Sequence, residues 1–305
     1  MTMKKILFIA FSLVATLAID AQIMNVTGIE RLNVPSTENT ITQAVAISPL
    51  GDYLLLSTDT KQGLVKWDMA DGKATTLTNE VGTGADIRIS ADGQQVVYGE
   101  VSYKNNRRQQ AVKSIDLTNG KKQTLVKPTR DLQGFALDGK TAVTMTNGKM
   151  KKHALKGSDA VVTRPVLTKH HLKLYITRNG VTTLFAPNGA DERYIWASLS
   201  PDGSRVLYYV SERGAFVSNV DGSNVIAMGD ITAPKWWDDN TIVGMDEQDD
   251  EYTITSSRIV ARTLDGEQQV LTGDDVIATY PLPSQQAGKI AFSTPDGNIY
   301  LITMK

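Results

Sequence analysis

Lys104, Arg107 and Arg108 lie within five residues of one another, and Lys151, Lys152 and His153 are contiguous. His170 and His171 complete the basic stretch at residues 148–173, which holds every histidine in the chain. Clustered cations of this kind suit an anionic ligand or an acidic partner. Asp246, Glu247, Asp249, Asp250 and Glu251 form the opposite feature, an acidic run. It offers oxygen ligands to Ca2+ but lacks the spaced carboxylates and the glycine of a dedicated calcium loop. Trp196, Trp236 and Trp237 are aromatic candidates for stacking on a ligand such as a sugar; their alternative role is to fill gaps between packed sheets.

Several chemistries are not indicated. The chain has no cysteine, so thiol catalysis, disulfides and thiolate metal sites are excluded. Adjacent histidines on a strand are expected to point to opposite faces, a poor geometry for joint metal ligation. No His-Glu-x-x-His motif and no Gly-x-Ser-x-Gly nucleophile turn occurs. No metal site is therefore expected, and no catalytic residue is assigned. Isolated carboxylates are plentiful, but spacing alone does not pair them into an acid and a base.

The elements that must carry these groups are short strands joined by turns. Asp71-Gly72, Asn119-Gly120, Asn179-Gly180, Asp221-Gly222 and Asp265-Gly266 each separate two apolar segments. Such dipeptides favour tight hairpins because they tolerate positive φ. A second turn precedes each of them: Ser48-Pro49-Leu50-Gly51, Ser90-Ala91-Asp92-Gly93, Leu137-Asp138-Gly139, Ser200-Pro201-Asp202-Gly203 and a weaker Trp237-Asp238-Asp239-Asn240. The alternation gives a unit of strand a, turn, strand b, loop, strand c, turn, strand d. Four antiparallel strands recurring at this period make a propeller blade.

The Ser-Pro-Asp-Gly turn followed by an apolar strand resembles the TolB-like (PD40, or WD40-like) repeat of β-propellers, over nearly all of the chain. The resemblance implies an all-β propeller. Propeller-bearing peptidases and oligogalacturonate lyases have similar repeats. The former need a hydrolase domain for which this chain has no room, and the latter a His-rich metal centre that three histidines in one region match poorly. TolB itself implies partnership with an envelope lipoprotein, but its additional N-terminal domain does not fit in this length.

Counting turn pairs predicts a six-bladed β-propeller of four-stranded antiparallel blades, with seven blades as the alternative. The sixth unit ends at residue 304 without a strand d. The strand-like segment 24–34 is expected to supply it and close the ring, removing two exposed sheet edges. In this topology the b–c loops and d–a crossings share one face. The basic loops, with residues 148–173 as an enlarged b–c loop of the third blade, and the acidic loop are expected there together.

Residues 1–21 read as a secretory signal peptide: Lys4 and Lys5, an apolar run too short to span a bilayer, then Ala21 as the cleavage position. Residues 22–305 form the propeller domain. The formal charge of −1 becomes −2 once two lysines and one aspartate are removed with the signal. No global field favours nucleic acid or an anionic membrane. The expected protein is a periplasmic or secreted bacterial propeller with no cofactor and no stable membrane insertion after cleavage. It is read as a non-catalytic binding or scaffold module that recognises a protein, peptide or glycan through its b–c loop face. The alternative is a channel-mouth lyase or hydrolase acting on a polysaccharide or lactone.

Overall fold

A computed structural model describes residues 22–35, 42–157 and 159–305; the expected signal peptide lies outside them. The chain begins with β1 (Val26–Arg31) and then winds into blades. Blade 1 is β2 (Thr42–Ile47), β3 (Tyr53–Thr58), β4 (Leu64–Asp68) and β5 (Ala74–Thr78). Blade 2 is β6 (Ile87–Ile89), β7 (Gln95–Lys104), β8 (Arg107–Asp116) and β9 (Lys121–Thr129). Blade 3 is β10 (Leu132–Asp138), β11 (Thr141–Thr146) and β12 (Lys149–Ala154); blade 4 is β13 (Val166–His170), β14 (Lys173–Arg178) and β15 (Val181–Phe185). Blade 5 is β16 (Tyr194–Leu199), β17 (Arg205–Val210), β18 (Gly214–Asn219) and β19 (Ile226–Gly229). Blade 6 is β20 (Thr232–Trp236), β21 (Thr241–Asp249), β22 (Ile254–Thr263) and β23 (Gln268–Val270). Blade 7 is β24 (Thr279–Ser284), β25 (Lys289–Ser293) and β26 (Ile299–Met304), completed by β1.

The ring closes as the sequence predicts. β1 runs antiparallel to β26, with Ile29 opposite Ile302 and Arg31 opposite Tyr300. The Gln269 side chain clasps the entering chain through both Met24 backbone groups, at 2.7 and 2.9 Å.

The blade count is seven, so the six-blade reading is corrected and its alternative holds. The third unit is two blades of three strands each. Residues 148–173 are not one enlarged loop. They contain β12, a connection, β13 and the turn into β14. That turn is His171-Leu172, with φ of 49° and 60°; no glycine, asparagine or aspartate marks it, so it escapes a search for turn residues.

Blade 4 also runs against the pattern. Gly134 of β10 lies beside Thr168 of β13, while Asp138 at the far end of β10 accepts hydrogen bonds from the Thr163 and Arg164 amides, just before β13. β13 is therefore antiparallel to β10. Against β16 it is antiparallel too: Tyr194 donates to the Leu172 carbonyl at one end, and Arg164 to the Ser200 carbonyl at the other.

Middle strands such as β3 (Tyr-Leu-Leu-Leu-Ser-Thr) are almost wholly buried, because a blade packs a neighbour on each side. Among the described residues, six hydrophobic clusters fill six of the seven seams. Leu55 with Tyr98 joins blades 1 and 2, and Leu207 with Ile242 joins blades 5 and 6. Between blades 3 and 4 lies a cavity of about 500 Å3 instead. The repeated Ser-x-Asp turns lock the first hairpins. Ser200 Oγ donates to Asp202 at 2.5 Å and accepts from the Arg205 amide at 3.0 Å; Ser90 does the same with Asp92 and Gln95.

Candidate functional site at the channel mouth

The innermost strands line the central channel, and five of them are irregular. Register shifts fall between Ala44 and Ala46, Leu132 and Gly134, Ile195 and Ser198, Thr232 and Lys235, and Thr279 and Leu282. At three of these bulges a non-glycine residue is left-handed: Trp196 at φ 49°, Ala233 at 46° and Tyr280 at 53°. Such a conformation costs about 1–3 kcal/mol and survives where surrounding structure imposes it, often at a functional site. Bulges also re-aim side chains. Here all three residues line one cavity of about 400 Å3.

Blades 1, 5, 6 and 7 converge on that cavity. Lys61 and Asp59 come from the b–c turn of blade 1, Trp196 from β16, Lys235 from β20 and Tyr280 from β24. Trp196 meets Tyr209 edge-on, with ring centroids 5.2 Å apart, and Tyr280 is exposed. Lys61 donates to Gln43 Oε1 at 2.6 Å; burial holds its ammonium below the usual lysine range, against the opposing pull of Asp59. Lys235 is likewise held down, first by burial and then by the Arg88 cation, with Asp86 opposing.

A second cavity of about 440 Å3 adjoins the first through Ala85. It carries Arg108, Arg130, Lys169, His170 and His171, together with Asp86 and Glu100. Both acids are already engaged: Asp86 pairs with Arg88, and Glu100 pairs with Lys113 at 2.7 Å. The side chains of Arg108, Arg130, Lys169 and Lys235 make no hydrogen bond or ion pair with any described residue. The mouth is thus electropositive in a chain of net charge −1, and low-dielectric walls focus such a field.

The histidines depart from expectation. His170 ends β13 and His171 opens a left-handed turn, so their rings meet edge-on, centroids 3.9 Å apart, and both line the second cavity. Burial, then the His171 neighbour, lowers the His170 pKa from the usual histidine value. Among the described residues no three or more metal-ligating side chains cluster.

The other predicted residues are dispersed. Arg108 reaches the second cavity, but Lys104 and Arg107 sit at the exposed tip of the β7–β8 hairpin. Lys151, Lys152 and His153 lie on β12, away from the mouth; Lys152 borders the cavity between blades 3 and 4, and His153 Nε2 contacts Thr144 Oγ1 at 2.9 Å. Asp246 pairs with Arg258 at 3.0 Å. Asp249 and Asp250 accept amides of their own turn, from Glu251, Tyr252 and Thr253. Trp236 is buried between blades 5 and 6 and donates to the Ser198 carbonyl at 3.3 Å; Trp237 packs between blades 6 and 7. Only Trp196 of the three stands in the mouth cavity. Sequence reasoning missed Lys61, Arg130, Lys235 and Tyr280; Lys169 falls in the basic stretch at residues 148–173. Aligning the inner strands is the signal that could have found Tyr280, since Trp196, Ala233 and Tyr280 occupy equivalent bulges.

The fold is that of a β-propeller. No protein-family model and no curated protein matches the chain. Among solved structures it is similar to a putative TolB from Agrobacterium tumefaciens, at 18% identity and a TM-score of 0.52, covering 87% of this chain and 91% of the other. It is similar to the Swd1 β-propeller domain from Myceliophteria thermophila, at 12% identity and a TM-score of 0.56, covering 92% and 100%. A chain of a mitotic checkpoint complex gives 12% identity and a TM-score of 0.55, covering 99% of each. At these identities the likeness is one of fold. Among the described residues no helix is long and apolar enough to cross a membrane.

Proposed function

We propose that this protein is a secreted or periplasmic binding propeller that holds an anionic ligand, carried by a glycan, peptide or protein, at the channel mouth on its b–c loop face. One observation carries the reading: Arg108 from β8, Arg130 from the connection after β9 and Lys169 from β13 line one cavity, and their side chains make no ion pair among the described residues. Cations left unpaired in a concave site are available to carboxylate or phosphate oxygens. Trp196 and Tyr280 beside them offer flat apolar surface to a sugar ring or aliphatic stem. The TolB-like repeat and the expected signal peptide support an envelope or extracellular setting.

The test is calorimetric titration with a uronic-acid hexasaccharide and with its neutral, carboxyl-reduced counterpart. The proposal expects binding of the acidic form alone, weakening with added NaCl. Equal binding of the neutral form, or of neither, contradicts it.

A second reading is an enzyme at the same mouth, acting on an anionic polysaccharide or lactone. It is favoured by Lys235, whose depressed pKa and lack of a partner suit a proton acceptor. Turnover of the hexasaccharide that is lost in Lys235→Met would support it.

A further inference from the structure

Among the described residues, the outer rim of the ring is protected in five blades and open in two. In the complete blades the outermost strand is either shifted in register, as in β1, β5, β9 and β19, or cut to three residues, as in β23. Bulges and short edges are how sheets avoid adding foreign strands. β12 and β15, outermost in the three-stranded blades, pair without any shift over their whole length. No strand among the described residues pairs with their outer edges.

β12 is the better of the two edges for a partner. Its hairpin with β11 turns through Asn147-Gly148, both at positive φ, so Thr146 and Lys149 form the hydrogen-bonded closing pair. Alternation then turns the amides and carbonyls of Met150, Lys152 and Ala154 outward. None of these groups meets a hydrogen-bonding partner among the described residues. Lys149, Lys151 and Lys152 make the strand strongly cationic, and all three are exposed. Met150 and Lys152 also border the cavity of about 500 Å3 between blades 3 and 4, which can receive alternate side chains of an added strand.

We infer that β12 is a docking edge for an acidic, extended peptide segment of a partner protein, which completes blade 3 as its fourth strand. The backbone supplies the pairing and the lysines select the charge; the same lysines repel a second copy of β12 and so prevent self-association. This inference does not depend on the ligand of the channel mouth.

The probe is a fluorescein-labelled octapeptide of alternating glutamate and threonine, titrated by fluorescence anisotropy into the chain without residues 1–21. A second probe is the same peptide N-methylated at alternate residues, which keeps the charge and removes edge hydrogen bonds. The inference expects binding of the first probe, at least tenfold weaker binding of the methylated probe, and at least tenfold weaker binding of the first probe to Lys149→Glu/Lys151→Glu. Arg130→Glu/Lys169→Glu, which alters the channel mouth, should leave the peptide affinity unchanged. Equal affinity for both probes would mean charge attraction alone and would overturn the inference. Loss of binding in the mouth variant would place the peptide in the channel, and absence of binding would leave the lysines as edge protection only; either result also overturns it.

Discussion

Gly134 of β10 lies so close to Thr168 of β13 that a Cβ built on it would stand 3.2 Å from the threonine Cβ. The contact exists because β13 runs opposite to its inner neighbours. That reversal brings Lys169, His170 and His171 to the same end of the channel as Arg108 and Arg130. A strand of ordinary direction would have put them at the other face. Gly134 also has φ of 138°, where a side chain is strained. Gly134→Ala should therefore destabilise the protein by about 1–3 kcal/mol. Gly28→Ala, where nothing lies within 4 Å of the added methyl, should change stability by less than about 0.5 kcal/mol. Urea unfolding of the two variants checks both; a neutral Gly134→Ala would contradict the packing described.

Trp196 sits on a left-handed backbone with its indole edge-on to Tyr209. It lines the same cavity as Tyr280 and offers its indole to a ring-bearing ligand there. Trp196→Ala is expected to weaken uronic-acid hexasaccharide binding about tenfold, equivalent to about 1.4 kcal/mol. Circular dichroism should show an unaltered sheet signal. Wild-type affinity in this variant would remove the indole from the site.

His170 should make binding depend on pH. His170 has a folded pKa below its unfolded value because of burial and the His171 neighbour. Its neutral form is favoured by folding, so its contribution to stability is complete above about pH 6.5 and is lost as pH falls through the lowered value. Arg108, Arg130 and Lys169 line the same cavity, while Asp86 and Glu100 are engaged elsewhere. A bound anion favours the charged ring. Affinity for the hexasaccharide is expected to rise about threefold to tenfold between pH 7.5 and 5.5. A flat profile in His170→Asn/His171→Asn, with the rise kept in wild type, assigns the effect to this pair.

Export is tested separately. Intact-mass measurement of the protein recovered from a bacterial periplasm or culture medium should give a chain beginning at Gln22. A chain retaining residues 1–21 would contradict the expected cleavage.

Much of this fold was legible because turns are local. Ser48-Pro49-Leu50-Gly51 and Ser200-Pro201-Asp202-Gly203 announce hairpins through residues that tolerate turn geometry, and the missing last strand pointed to closure by residues near Val26. The seventh blade was hidden because His171-Leu172 turns without any such residue. Its positive φ values fall on a histidine and a leucine, residue types that do not mark a turn in the sequence. Part of the candidate site was legible by residue type, in Arg108, Lys169, His170 and His171. Trp196 stood out by type, but Lys235 and Tyr280 reach the mouth through bulges, and Arg130 and Lys169 meet only because β13 is reversed. Conspicuous charge runs such as Lys149–Ala154 and Asp246–Glu251 proved to be strands and hairpin tips at the rim or above the face.

The central claim is that unpaired cations at the channel mouth bind an anion. Arg130→Glu/Lys169→Glu tests it most directly, with hexasaccharide affinity measured from 50 to 500 mM NaCl. Both side chains lack partners, so the variant should fold as wild type does. The account predicts affinity at least tenfold lower at 50 mM NaCl and a much flatter salt dependence. Wild-type affinity with an unchanged salt dependence in this variant would contradict it.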